Sequence, residues 1–254
     1  MDTVIDVRDV SCRLGGRAVL DHVDLTVRKG DLYAIIGPNG GGKTTLLRVI
    51  LGLQEVDSGE VRLFGQPPRE GRTRVGYVPQ FRTFDFLYPV TVEKMVLSGR
   101  LGHIPGPVKR YSADDHAAVT RALVRTGIGH LAGRELRRLS GGERQRAIIA
   151  RALAAEPDLL ILDEALVYVD IPTEAQLFDL LEELKKTMTI LMATHDIGAV
   201  STHVTRVACL NERIYTHDTN EITEDMLIAA YRCPVDLIAH GIPHRVLREH
   251  GREP

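Results

Sequence analysis

The sequence has no run of 18 apolar residues, so nothing in it reads as a membrane-spanning helix. Its first residues, Met1-Asp2-Thr3-Val4-Ile5-Asp6, are acidic and lack an apolar stretch, so no secretory signal is expected at this end. If the protein serves a membrane process, another chain is expected to supply the membrane part. Cysteine is scarce. Cys12, Cys209 and Cys233 are widely spaced, odd in number and form no CxxC pair, which argues against a disulfide framework and for reduced thiols in a cytosolic protein. A basic surplus is also missing: 32 Lys and Arg face 34 Asp and Glu, for a net charge of −2. A nucleic-acid binder would normally carry the opposite balance. Internal repeats and low-complexity tracts are absent. What remains is ample core-forming material, with 44% hydrophobic and 26% charged residues over 254 positions. That suits one large domain, or a core with a modest subdomain.

Residues 3–10 and 20–27 alternate apolar and polar side chains, as half-buried antiparallel strands should, with a turn at Gly15-Gly16-Arg17. Residues 32–36 form a short continuous apolar run, the pattern of a central strand buried on both faces. From 81 to 138 the character changes: Pro, Gly and aromatic residues come first, then a helical pattern over 117–127 bracketed by loop signals. A helix over 141–156 runs to Pro157, followed by a strand at 159–162 and an amphipathic helix at 174–186. Strands at 189–193 and 204–210 and a short helix at 225–231 complete the reading. Alternating strand and helix predict an α/β fold with a parallel sheet covered on both faces. The expected division is an α/β core from 1–80 and 153–215, a helical subdomain at 81–152 and an appendage at 216–254.

Gly37-Pro38-Asn39-Gly40-Gly41-Gly42-Lys43-Thr44 fits G-x-x-x-x-G-K-[ST], between the strand at 32–36 and a helical pattern at 44–50. Glycines there let backbone amides turn inward as an anion-binding nest at a helix N-terminus. Lys43 adds a point charge for the β- and γ-phosphates, and the Thr44 hydroxyl suits Mg²⁺. Gly37, Asn39, Gly40, Gly41, Gly42, Lys43, Thr44 and Thr45 are therefore the expected nucleotide-binding residues. The second half of the site is the strand that ends in Asp163-Glu164, which places two carboxylates at the sheet's C-terminal edge. Asp163 suits Mg²⁺, and Glu164 is expected to polarise the attacking water. An acidic pair after a strand would by itself more often be a solvated strand end. Beside a phosphate loop the catalytic reading prevails.

A third segment, Leu139-Ser140-Gly141-Gly142-Glu143-Arg144-Gln145-Arg146, reads as an N-capped helix whose first turn is bare. Bare amides at a positive dipole end make a second phosphate site. One chain does not need two such sites for one nucleotide unless the second serves another copy. Leu-Ser-Gly-Gly with Gln-Arg resembles the signature of ATP-binding-cassette (ABC) ATPases, and the likeness spans essentially residues 3–210. The resemblance implies a P-loop NTPase (RecA-like) core, with an antiparallel β subdomain and a helical insertion carrying the signature. It implies two copies sitting head to tail, Ser140 and Gly142 touching the γ-phosphate on the partner's phosphate loop, and Gly141 alongside. By the same resemblance Gln80, which ends Val75-Gly76-Tyr77-Val78-Pro79-Gln80, senses Mg²⁺ and the membrane partner. His195, in Ala193-Thr194-His195-Asp196, is the γ-phosphate switch, and Asp170 crosses the dimer interface.

Three positions depart from the family's pattern. Leu14 stands about where an aromatic residue usually stacks on adenine, Ala165 follows Glu164 in place of Pro, and Tyr168 replaces a small residue. An active enzyme is still expected, since Lys43, Glu164, Ser140 and His195 are all in place.

The segment Phe81-Arg82-Thr83-Phe84-Asp85-Phe86-Leu87-Tyr88-Pro89-Val90-Thr91-Val92, the Leu97-Ser98-Gly99-Arg100 that follows, and the tail from Cys233 to His244 resemble the zinc, manganese and iron importers of the family. Phe81, Phe84, Phe86 and Tyr88 suit a groove for a partner's helix, or equally a buried anchor for the helical insertion. His240, His244 and His250 read as surface histidines, because Gly241 and Pro243 argue against one helical face. The expected function is ATP hydrolysis that powers metal import through separate integral membrane permease subunits, served by a substrate-binding protein, at the cytoplasmic face of the membrane. A siderophore or haem importer, and a nucleotide sensor that barely hydrolyses, stay open. Partnership with nucleic acid is not expected.

Overall fold

The structure, a computed structural model, describes residues 2–80, 89–104, 110–165, 171–195 and 203–217. Strands β1 (Thr3–Leu14) and β2 (Arg17–Arg28) form an antiparallel hairpin turning at Gly15-Gly16. Both outrun the stretches predicted at 3–10 and 20–27. The extra length passes through bulges, with register shifts between Val7 and Val10 and again between Val10 and Cys12, and a bulge breaks the period of two that marks a strand in sequence. Strand β4 (Ser58–Leu63) joins the other side of β1, giving the order β2-β1-β4.

The larger sheet contains β3 (Leu32–Ile36), β5 (Val75–Val78), β6 (Leu159–Asp163), β7 (Thr189–Thr194), β8 (Arg206–Asn211) and β9 (Arg213–His217). Its order is β5-β6-β7-β3-β8-β9, parallel except for β9, which pairs antiparallel with β8. Alternate side chains of its central strands feed two separate cores. Leu32, Ala34, Ile36, Leu160, Leu162, Ile190 and Met192 enter one, and Tyr33, Ile35, Leu159, Ile161, Leu191 and Ala193 enter the other. Each large aliphatic side chain so buried contributes about 1.5–3 kcal/mol. This is why these strands read as unbroken apolar runs.

Helix α1 (Lys43–Ile50) packs with the antiparallel sheet on the second face. On the first face lie α3 (Val92–Leu97), α4 (Ala113–Arg125), α5 (Gly141–Leu153) and α6 (Ile171–Lys185), while the short α2 (Pro68–Gly71) precedes β5. Helix α4 starts four residues before the predicted 117, because Ser112 caps it reciprocally with Asp115. Helix α5 stops at Leu153, short of 156, ahead of Pro157 and of Glu156, whose φ is 51°. Elements β4, β5, β9, α2 and α3 were not anticipated. They span four to six residues each, too short to display a period. The expectations for 81–88, for a helix at 225–231 and for the tail histidines lie outside the described residues.

The cap of α4 has a pH signature. The Ser112 amide and then Arg100 hold the Asp115 carboxyl at about 2, well below the usual carboxylate range. A folded-state value below the unfolded value of about 3.9 stabilises the fold fully above the latter, and the benefit fades as pH falls towards the former. Asp115→Asn is therefore expected to lower the urea midpoint at pH 7, with the gap to wild type narrowing between pH 4 and pH 2. A gap of constant width across that range would show that the charge contributes nothing.

Candidate functional site

Sheet order assembles the site. Strands β3, β7 and β6 are neighbours, so their carboxyl ends deliver the phosphate loop, His195 and the Asp163-Glu164 pair side by side. Gln80, just past β5, continues the row. Ligands of open α/β sheets bind at this edge.

Gly42 caps α1 with φ 98°, a conformation that side chains with a Cβ avoid. A Cβ there would also lie 2.7 Å from the Val19 carbonyl oxygen. Gly37 and Gly41 are buried, Asn39 and Gly40 are exposed, and Thr44 and Thr45 are half-buried in the first turn of α1. That turn carries no acidic side chain, so the positive end of the helix dipole meets no carboxylate of its own helix. Lys43 is only 4% exposed. Its ammonium donates to the Gly37 carbonyl at 2.8 Å and the Pro38 carbonyl at 3.0 Å, and lies 3.4 Å from Glu164 Oε1. Burial pulls its pKa below the ordinary lysine value, against the opposing pull of the Glu164 and Asp163 carboxylates.

Asp163 continues the face of Leu159 and Ile161, the face that α1 covers. Strand parity thus brings its carboxylate to α1, where Oδ1 accepts from the Thr44 hydroxyl at 3.0 Å. Tyr77 shares that face and donates to Asp163 Oδ2 at 3.1 Å. Burial raises the pKa of Asp163, opposed by these two hydrogen bonds. Glu164 turns away with φ 47° while its amide donates to the Ala193 carbonyl at 2.9 Å. A left-handed conformation at such a residue costs on the order of 1–3 kcal/mol. The Glu164 carboxylate faces Lys43 and accepts from Gln80 Nε2 at 3.3 Å, and the same amide nitrogen lies 3.3 Å from Thr44 Oγ1. His195 is 41% exposed, with Nδ1 3.9 Å from Glu164 Oε1.

The sequence-predicted residues thus fall into two groups. Lys43, Thr44, Gln80, Asp163, Glu164 and His195 converge. Ser140, Gly141 and Gly142 do not join them: Ser140 Oγ accepts from the Glu143 amide, and the Ser140 amide donates to Glu143 Oε2. Among the described residues no hydrogen bond or ion pair links 140–142 with 37–45. Asp170 and Tyr168 lie outside the described residues. Leu14 ends β1 with 40% of its surface exposed, and Ala165 is buried in the core. Sequence reasoning missed Tyr77. The available signal was its parity with Val75 in a strand leading to Gln80.

A hard cation such as Mg²⁺ takes hydroxyl, carboxylate and carbonyl oxygens. The Thr44 hydroxyl and the Asp163 carboxylate stand side by side and supply oxygens of that kind. The donor set fits that ion.

Comparison with known proteins agrees with the geometry. The family model described as ABC transporter matches residues 20–167. The zinc import ATP-binding protein ZnuC of Marinobacter nauticus is 40% identical over 216 residues, covering 84% of this chain and 76% of that protein. The zinc transport system ATP-binding protein TroB of Treponema pallidum is 38% identical over 230 residues, covering 89% and 86%. Among solved structures, an inward-facing transporter assigned to the metal-chelate type is 30% identical with a TM-score of 0.83, covering 93% of this chain and 91% of its own.

Proposed function

This chain belongs to the ABC transporter ATPases, and we propose that it powers the import of a transition-metal ion, zinc foremost, through a separate membrane permease. As a member of that family it binds and hydrolyses ATP. The observation that carries the hydrolytic reading is the chain of contacts through Lys43, Glu164, Gln80, Thr44 and Asp163, each link 3.0–3.4 Å long. The cargo reading rests on the zinc import and zinc transport relatives.

In the proposed mechanism, the loop from Gly37 to Thr45 cradles the phosphates and Lys43 balances their charge. Thr44 and Asp163 would hold Mg²⁺, with Gln80 beside them, and the ion would supply charge neutralisation for the phosphates. Glu164 accepts a proton from the attacking water as the water's oxygen bonds to the γ-phosphorus and the bond from that phosphorus to the bridging oxygen breaks, with ADP as the leaving group. His195 reaches the same phosphoryl group from the end of β7. Ser140, Gly141 and Gly142 present the bare end of α5 to the nucleotide on a second copy, in a head-to-tail dimer that Asp170 helps to join. The separation of 140–142 from the chain's own phosphate loop supports that assignment. Two bound ATP hold the copies together, and hydrolysis lets them part.

The test is reconstitution with the membrane subunits and the binding protein. Loading that protein with Zn²⁺ is expected to stimulate ATP turnover severalfold over Mn²⁺, iron or no metal. Robust turnover indifferent to all three metals would sink the metal assignment and leave the ATPase standing.

A further inference from the structure

Leu97-Ser98-Gly99-Arg100 takes no part in the site above, yet three of its residues are fastened to the C-terminal end of α5. Ser98 Oγ accepts from Arg151 Nε at 3.1 Å and donates to the Met95 carbonyl at 2.6 Å. A Cβ on Gly99 would fall 2.1 Å from the Arg151 carbonyl oxygen, so only glycine allows this approach. Arg100, 11% exposed, donates from Nε to Asp115 at 2.8 Å, and from one terminal nitrogen to the Ala154 carbonyl at 3.0 Å and to Glu156 at 3.3 Å. One guanidinium thus ties the end of α3 to the start of α4 and to the chain leaving α5. A lysine, with one compact charge, could not span these acceptors.

The opposite end of α3 is tied as well. The Val92 and Glu93 amides donate to the Arg134 and Ala132 carbonyls at 3.0 and 2.9 Å, and the Leu136 amide donates to the Val90 carbonyl at 3.0 Å. That strip runs directly into Ser140. Between the two ties, Val92, Met95 and Val96 share a core cluster with Ala147 and Ile148 of α5. Helix α3 is therefore a strut tied on one side to the end of the helix that carries the signature and on the other to the strip that leads into that helix. It begins just after the segment that follows Gln80. Closely packed elements move as bodies and do not deform continuously. A displacement of α3 is then expected to carry the strip before Ser140 and the end of α5 with it, whereas a strut loose at one end would hinge.

We infer that Arg100 is a positioning residue for coupling, which locks α3 to the signature helix so that the membrane partner's movement sets the signature. The inference rests on the transport reading above. It is tested in the reconstituted transporter by comparing wild type with Arg100→Lys, and with Glu156→Gln as a milder variant that removes one charge from the clasp. Permease-bound turnover is divided by the turnover of the free chain, with and without Zn²⁺ on the binding protein. For Arg100→Lys the expected result is unchanged nucleotide affinity and free-chain turnover, and a stimulation ratio reduced about threefold to tenfold. Glu156→Gln is expected to show a smaller loss of the same kind. A ratio equal to wild type in both variants overturns the inference, as does a parallel loss of free-chain and permease-bound turnover, which would mark a purely structural role. If Zn²⁺ has no effect but the permease still stimulates the wild type, the cargo assignment fails and the ratio without metal decides the inference. A wild-type chain that the permease does not stimulate overturns both.

Discussion

Replacing Glu164 by Gln is expected to lower ATP turnover about 10²- to 10⁴-fold, the span typical of a positioned general base. The substitution keeps shape and hydrogen-bonding reach, so Gln80 at 3.3 Å and the Ala193 carbonyl that receives the residue's amide keep their partner. What disappears is the group able to take a proton from water. Nucleotide affinity is expected to hold or rise. In the wild type Lys43 shares its charge with Glu164 at 3.4 Å, and a neutral amide removes that nearby carboxylate charge, leaving the buried ammonium with two carbonyl partners and the weaker pull of Asp163 until a phosphate arrives. Phosphate release at saturating Mg-ATP, measured beside ATP binding, checks both halves. Turnover within tenfold of wild type at normal affinity would remove Glu164 from the proposed role and move the search to His195 or Gln80.

The complementary change, Lys43→Met, is expected to act on binding. It keeps the apolar stem and removes a buried charge whose hydrogen bonds are strong because one partner is ionised. Such a bond contributes about 1.5–3 kcal/mol, so ATP affinity should fall by roughly 10- to 150-fold. Calorimetric titration of the free chain with Mg-ATP reads this directly. Loss of less than about threefold would mean that the backbone nest of residues 37–42 does most of the phosphate binding. The two variants are told apart by affinity, because Glu164→Gln is expected to spare nucleotide binding and Lys43→Met to weaken it.

Much of the site was legible because its chemistry is local in sequence. The phosphate loop is a single stretch whose glycines, lysine and threonine act within eight residues, and strand β3 before it and helix α1 after it stand where the pattern requires. Strand β6 announced itself by the apolar run 159–162 leading into Asp163-Glu164. The Ser140 cap was readable, since a cap needs only the turn that follows it. Less legible were elements shorter than a period, such as β5 and α3, and the bulged extensions of β1 and β2.

What the sequence determined alone, then, was composition, period and the residue types each local motif needs, because helix capping, strand alternation and phosphate nests depend on neighbours a few positions apart. Tertiary structure decided which motifs meet. The order β5-β6-β7-β3 brings Gln80, Glu164, His195 and Lys43 to one edge from four distant segments. Parity across β5 and β6 turns Tyr77 and Asp163 towards Thr44. The clasp of Arg100 on Asp115, Ala154 and Glu156 likewise exists only once α4 and α5 have packed. A contact between residues 50 or more positions apart leaves no period in the chain, since it depends on the free energy of packing whole elements and not on any one local preference.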